Sequence, residues 1–560
     1  MTNTQKNKKN HNTHNNSNNY DLVIIGGGIS GIYTLYKLSS KYPHLKILLL
    51  ESGERYGGRI YSYKETIDGE EYVMDLGAGR LGHHHKLINN LINELGLKPK
   101  IIDIVNTKTY IEVSENNSAR DKTHFKETIM TKLTNFFLSP LVSKLGKSIL
   151  QKFYLNELIK KYVSVSFSQK VESVFEYSSD LNEFNAYDAI EYFKHDYNNE
   201  TKFFTLVGGL EQIIENMLVL IKKTKSYKSK NITLLNLSSV ENIIKKNNNN
   251  NNLFKIVVNN YSKSKVSNVY SKYVICALPK QSLEKLDLFK PFLRDLNSIN
   301  SINLLRIYEI YNKTNGELWF KNIEKTITNS EVQFVIPINP NNGLIMSSYS
   351  DSANARFWNL LRVKKGVAYV KNKLNEKLNQ LFSIYNIKVP PSKYIKMYFW
   401  DAGVACWKKN VDSDNLSSKL LNPLPNVFII GENYSQYQAW CEGALMTSEN
   451  CISKLGNTLM TTMKTKALKH TRKLGGKKSE HNKKMFTLDE VKKHNTKKDA
   501  WTIIENKVYN ISSWIPKHPG GEIIMQALGK DATQLFIANG HPSYVKKTIL
   551  PKYYIGSLKK

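Results

Sequence analysis

Hydrophobic runs alternate with polar, turn-forming stretches from Asp21 onward, and the period of the pattern changes along the chain. Leu22-Val23-Ile24-Ile25 is a continuous apolar run of strand length, and Ile47-Leu48-Leu49-Leu50 is a second, so both predict strands. Between them, the segment from Ser30 to Ser40 reads as a helix entered from a glycine-rich turn. Folded sequence of this kind continues to about Leu455. Within it, the six asparagines Asn247–Asn252 stand between strand-like segments around Leu234 and Ile256 and predict an elongated hairpin loop. Residues 456–484 are rich in Lys, Thr and Gly without periodic hydrophobicity, which predicts a flexible, solvated linker. A separate module follows over 485–560, and the polar residues 1–20 predict a disordered tail. No internal repeat is visible.

Composition changes this picture little, whereas charge adds to it. With 560 residues, 41% hydrophobic and 23% charged, the chain is long enough for several cores and is neither fibrous nor wholly disordered. Its 80 Lys and Arg against 48 Asp and Glu give +32, which favours acidic partners such as nucleic acid or anionic membrane surfaces, although no motif supports either. The expected linker alone holds nine Lys or Arg against one acid. Cys276, Cys406, Cys441 and Cys451 lack metal-ligand spacing, and no signal-peptide or membrane-span pattern is present. These features predict a chain without an integral membrane anchor in a cytoplasmic or other intracellular reducing compartment.

The first candidate chemistry lies at the end of the first strand. Gly26-Gly27-Gly28-Ile29-Ser30-Gly31 is a G-x-G-x-x-G turn leading into a helix, and Glu51 ends the second strand about 20 residues later. Gly26, Gly28 and Gly31 let backbone approach a pyrophosphate, the helix start favours its charge, and Glu51 accepts from ribose hydroxyls. NAD and FAD both remain open at this point.

Further blocks decide between them by resemblance. Gly57-Gly58-Arg59-Ile60, Asp75-Leu76-Gly77-Ala78-Gly79-Arg80, Thr205-Leu206-Val207-Gly208-Gly209-Leu210, Tyr273 to Pro279, Val427 to Glu432 and Ala439-Trp440-Cys441-Glu442-Gly443-Ala444 occur in that order. Together they make residues 21–455 resemble the flavin-dependent amine oxidases, a family that includes monoamine, polyamine and L-amino-acid oxidases. The resemblance implies FAD, with Glu51 at the adenosine ribose, Arg59 at the pyrophosphate, Val240 against adenine and Glu432 at the ribityl chain. It implies that Trp440 forms a wall of the substrate cavity and that the helix near Glu442 points its positive end at the flavin.

Arg80 resembles the L-amino-acid oxidase arginine that grips a substrate carboxylate, a task that suits a planar guanidinium. His195, in Phe193-Lys194-His195-Asp196, resembles histidines that take the amine proton in those enzymes. Arg306 stands where the family has a lysine near the flavin, Ile336 stands where L-amino-acid oxidases have a second carboxylate-binding tyrosine, and Trp400–Trp407 shortens an aromatic segment. Cys406 falls near the position where monoamine oxidases join cysteine to flavin, and a buried inert thiol is the expectation here. The adjacent His83, His84 and His85 are not expected to converge on one metal ion from a regular helix start.

The last module carries Phe486-Thr487-Leu488-Asp489-Glu490-Val491, Trp501, His518-Pro519-Gly520-Gly521, Gly529-Lys530-Asp531 and Gly540-His541. In this order they resemble cytochrome b5, which implies haem b with His518 and His541 as axial ligands and single-electron transfer. Twelve Lys against six acids in 485–560 leave this module at +6. A tether would hold it at millimolar effective concentration beside the flavin.

The expected fold class is thus an α/β FAD-binding Rossmann-like domain with an α+β substrate-binding domain, plus a small α+β cytochrome b5-like domain. The expected function is oxidation of an amine or L-amino acid to an imine, with oxygen or a one-electron partner, the haem included, as acceptor. A polyamine or monoamine oxidase is the alternative, and a non-catalytic basic scaffold on membrane or nucleic acid is a second.

Overall fold

Both apolar runs near the start are central strands of a buried sheet. The computed structural model describes residues 18–105, 107–116, 118–196, 201–248, 251–474, 484–539, 541 and 545–559. The chain divides into two compact units, Met1–Met460 and Thr461–Lys560.

In the larger unit, Asn19–Ile25 lies parallel between Ile47–Leu50 and Lys265–Cys276, with Val23 opposite both Leu48 and Val274. Ile232–Leu235 extends this sheet beyond Ile47–Leu50, and Val427–Ile429 pairs parallel with Lys265–Cys276. The hairpin of Ser238–Asn248 and Asn251–Asn260 completes it. Leu22–Ile25 and Ile47–Leu50 are apolar at every position because both faces of the sheet are covered there. Leu22, Ile24 and Leu49 pack with Ile32, Leu35 and Leu38 of the helix Ile29–Lys41, and Val23, Leu48 and Leu50 pack with Leu286 and Phe289 on the other side. Three distant stretches of chain therefore build one sheet.

A second, seven-stranded sheet carries the other half of the unit. Its order is Tyr394–Trp407, Ile299–Ile310, Leu344–Asp351, Phe334–Asn339, Lys325–Thr328, Lys108–Val113 and Ala119–Asp121. Leu305, Ile307 and Ile345 pack against the helices Ser352–Lys365 and Val367–Phe382. Tyr110, Ile327 and Phe334 instead join a cluster with the helices between Thr123 and Asp196. In the smaller unit, Met485–Phe486, Tyr554–Leu558, Lys507–Asn510, Asp499–Ile504 and Asn495–Thr496 form a five-stranded sheet. Short helices pack Ile515, Leu528 and Leu550 against Ala500, Ile504 and Tyr509. The fold class is the one expected.

Three boundaries differ from expectation. The asparagine run is not simply a loop: strand pairing continues through Asn247 opposite Asn252 and Asn248 opposite Asn251. A backbone ladder needs no particular side chain, so asparagine's low strand preference does not end it. The expected linker begins as helix, since Cys441–Leu474 is continuous and its Leu455 and Leu459 are buried. Those leucines repeat at i and i+4, and the Lys-rich sequence beyond them consists largely of good helix formers. Strand pairing also starts at Asn19, inside the expected tail, while residues 1–17 and 475–483 lie outside the described residues. Among the described residues, no helix is long and apolar enough to cross a membrane.

Candidate functional site

The three glycines of the first turn are glycine for different reasons. Gly26 has φ +105°, and a Cβ there would lie 2.3 Å from the Ala277 carbonyl oxygen; at Gly31 it would lie 2.0 Å from the Gly26 oxygen. Packing of the chain on itself explains both. At Gly28 a Cβ would meet nothing nearer than Gly58 Cα at 3.9 Å, and φ is −72°, open to any residue. Its bare backbone caps the helix Ile29–Lys41 without a side-chain hydrogen bond or an acid in the first turn. An uncapped helix start with room for close approach suits a pyrophosphate.

Glu51 faces this turn. Its Oε2 accepts from the Gly27 N–H at 2.7 Å and its Oε1 from the Gly53 N–H at 2.7 Å. The Ser238 N–H donates to the Glu51 carbonyl at 2.8 Å, so the strand that bears Val240 is fastened beside it. Val240 itself sits at a β-bulge opposite Val258. On the far side of the turn, Arg59 pairs with Glu432 at 2.7 Å and donates to the Gly403 carbonyl at 3.0 Å. Glu432 is buried and also accepts from the Ala405 and Ala439 N–H groups at 2.9 and 2.7 Å. It thus ties Arg59 and the strand Tyr394–Trp407 to Ala439, just ahead of the helix Cys441–Leu474, which starts one residue before the expected Glu442.

Beyond this lies an aromatic enclosure around two arginines. Arg306 is buried and donates to the Asp75 carbonyl at 2.7 Å, as the Tyr308 hydroxyl does at 2.9 Å. Its guanidinium lies 4.7 Å from the Tyr349 ring, and a Cβ on Gly79 would come within 2.4 Å of its Nη1. The neighbouring Arg80 lies 4.7 Å from the Phe203 ring centroid and 5.5 Å from that of Trp440, rings that stack on each other at 5.5 Å. Tyr177 continues the enclosure against Phe334 and Tyr349, where Ile336 also packs. Lys325, pushed down to about 8 by burial, feels the charge of Arg80 from the same region. Cys406 is fully buried, donates toward the Glu183 carbonyl at 3.3 Å, and has a thiol pushed well up by burial, consistent with the inert role expected.

His195 is not part of this arrangement: it is exposed at the end of the helix Ala186–Asp196, and the next residue turns inward instead. Asp196 Oδ1 accepts from His84 Nε2 and from the Tyr437 hydroxyl, both at 2.7 Å, and Oδ2 accepts from Trp440 Nε1 at 2.9 Å. Burial raises its pKa, but these hydrogen bonds outweigh that effect and hold the carboxyl below its usual range. His83 points elsewhere, to Asp103 at 2.7 Å. Two of the three histidines therefore do converge with an acid, because they lie in the loop before the helix Lys86–Glu94 and not on a regular helix start. A metal fits poorly there. His85 Nδ1 accepts the Gly82 N–H at 3.0 Å, which leaves the proton on Nε2, the atom turned toward Tyr437.

Adjacent substitutions should therefore behave oppositely. Asp196→Ala strands the Trp440 N–H and is expected to cost about 3 kcal/mol by urea unfolding, against about 0.5 kcal/mol or less for His195→Ala.

In the smaller unit, the His518 and His541 rings have centroids 6.1 Å apart. Two imidazoles bound at about 2 Å to opposite sides of one metal through Nε2 place their centroids about 6 Å apart. His541 Nδ1 is 2.9 Å from the Phe536 carbonyl oxygen and His518 Nδ1 is 3.3 Å from that of Gly521. A carbonyl accepts only from N–H, so both Nε2 lone pairs are left for iron. A Cβ on Gly520 would sit 2.9 Å from His518 Cε1, which explains the glycine after the proline. Gly540 lies outside the described residues.

Comparison with known proteins agrees with both units. Residues 487–559 match the family described as Cytochrome b5-like Heme/Steroid binding domain, and residues 24–95 match the NAD(P)-binding Rossmann-like domain. Cytochrome b5 of Oryza sativa subsp. japonica is 46% identical over 81 residues, 14% of this chain and 58% of that protein. Acyl-lipid (8-3)-desaturase B of Dictyostelium discoideum is 51% identical over 72 residues, 13% of this chain and 15% of that protein. The chain thus spans less than two-thirds of the length of these relatives. The structure of a putrescine oxidase bound to putrescine superposes with a TM-score of 0.58 at 13% identity, covering 78% of this chain and 99% of the other. The cytochrome b5-like match implies haem, and the Rossmann-like match with the flavin-oxidase fold implies FAD.

Proposed function

We propose that the larger unit oxidises the α-carbon–nitrogen bond of an L-amino acid, and that Gly26, Gly28, Gly31, Glu51, Arg59, Val240 and Glu432 hold FAD for this purpose. Bound there, FAD would supply a hydride acceptor and pass electrons to oxygen or, singly, to the haem held by His518 and His541. The observation that carries the reading is the seat of Arg80 on the Phe203 and Trp440 rings, one residue from the glycine that abuts Arg306. A guanidinium set against aromatic rings keeps its charge while losing part of its water, which strengthens its hold on a carboxylate. Trp440 and Phe203 exclude water beside the substrate, and Arg306 is fixed by its bond to Asp75 with its charge toward the same enclosure.

The second reading, an amine without a carboxylate, is favoured by Ile336, which offers no partner to a carboxylate, and by the putrescine oxidase likeness. Matched amino acids and their decarboxylated amines separate the two when flavin reduction is followed anaerobically. Arg80→Met should lower kcat/KM for amino acids by about 30- to 1,000-fold, roughly 2–4 kcal/mol, and leave the amines nearly unchanged. Equal slowing of both members, or a wild-type preference for the amines, transfers the assignment to a polyamine or monoamine oxidase. A flavin that no amine bleaches leaves the scaffold reading. Following the haem absorbance in the same experiment tells whether electrons reach it.

A further inference from the structure

Asp180, on the short helix Ser178–Asn182, is the one buried acid among the described residues whose side chain makes neither a hydrogen bond nor an ion pair. It keeps 8% of its surface, and its Oδ2 is sealed without a partner. The other acids of this region are all partnered. Asp351 accepts from Gln333 Nε2 at 2.8 Å and from the Ser179 N–H at 3.0 Å. Glu176 pairs with Lys108 at 2.6 Å and Lys325 at 3.4 Å. An orphan carboxyl is costly to bury, so one beside a substrate site calls for a missing partner.

Its position relates it to the enclosure described above. Asp180 lies within electrostatic reach of Arg80 and Asp196, and three residues from Tyr177, whose ring is 5.9 Å from that of Tyr349 beneath Arg306. Resting on the reading of Arg80 as the carboxylate grip, we propose that Asp180 is the counter-ion for a second positive charge on the substrate. The site would then take an α-amino acid with a cationic side chain: carboxylate at Arg80, distal cation at Asp180. Burial first, then the neighbouring Asp351 and Glu176, raise the Asp180 pKa well above the ordinary range, against the pull of Arg80. Burial thus favours the neutral acid, and a cation placed beside it would favour the carboxylate and release the proton.

Calorimetric binding to the full-length holoprotein tests this with three probes, L-lysine, L-norleucine and cadaverine, in wild type and Asp180→Asn. Wild type should bind L-lysine at least about 30-fold more tightly than L-norleucine, which lacks only the distal amine. Asp180→Asn should reduce that preference to within about 3-fold without changing norleucine binding. Heats in two buffers of different ionisation enthalpy should show about one more proton released by L-lysine in wild type than in Asp180→Asn. Norleucine binding as tightly as lysine, or equal weakening of both by Asp180→Asn, overturns the proposal. Cadaverine binding as tightly as lysine, with norleucine weak, keeps Asp180 in its role and instead removes Arg80 from the carboxylate.

Discussion

His541→Ala protein should emerge without the low-spin haem spectrum and with its FAD intact, and His518→Ala should do the same. On the proposed reading each imidazole would be one of two ligands to the haem iron, and the 6.1 Å between the ring centroids matches the spacing such a pair needs. The carbonyls that orient them, from Phe536 and Gly521, fix the ring on each side before any haem arrives. Removing either ring leaves a five-coordinate or unbound haem, a change of the whole Soret and α/β band pattern. FAD content is unaffected because every proposed FAD contact lies in Met1–Met460. An unaltered low-spin spectrum in either variant would place the ligand elsewhere.

Gly28→Leu should have the converse effect, with FAD content falling below about a tenth of one per chain while haem stays stoichiometric. The expectation turns on an asymmetry among the glycines. Gly31→Ala drives a Cβ to 2.0 Å from the Gly26 oxygen and should compromise folding, so loss of FAD there would say little. Gly28 has an ordinary backbone conformation and a Cβ there would meet only Gly58 Cα, at 3.9 Å, so a leucine is expected to leave the fold intact and to block an incoming phosphate. The apoprotein should melt at a lower temperature than the wild-type holoprotein, by the linkage of binding to stability, yet remain cooperatively folded. Full FAD occupancy in Gly28→Leu would show that the pyrophosphate does not pass there.

These two sites were the most legible parts of the sequence, because each is specified by local chain order. A strand, a glycine turn and a helix must be contiguous to cradle a phosphate, and a proline-glycine turn carries its histidine with it. The substrate region was less legible because it depends on which way a side chain faces. His195 and Asp196 are adjacent in a polar stretch, and about 100° of helical rotation puts one in water and the other against Trp440. The convergence of His84 and His85 on Asp196 spans more than a hundred residues of chain, so no spacing rule could reveal it. Asp180 carried no signal either, since an acid in a helical region is ordinarily solvated and only its lack of partners in three dimensions sets it apart.

The larger unit draws its parallel sheet from Asn19–Leu50, Ile232–Cys276 and Val427–Ile429, and this bears on the order of events during synthesis. Its central strand leaves the ribosome early but cannot be flanked by Lys265–Cys276 until more than two hundred residues later, and Glu432 closes on Arg59 only near the end. Such non-local pairing is slow and leaves apolar strand edges waiting. The haem unit needs only its own contiguous stretch. A nascent chain halted anywhere before Val427 would thus be an aggregation hazard with an incomplete flavin sheet, whereas one released after Met460 already has every strand the flavin unit requires.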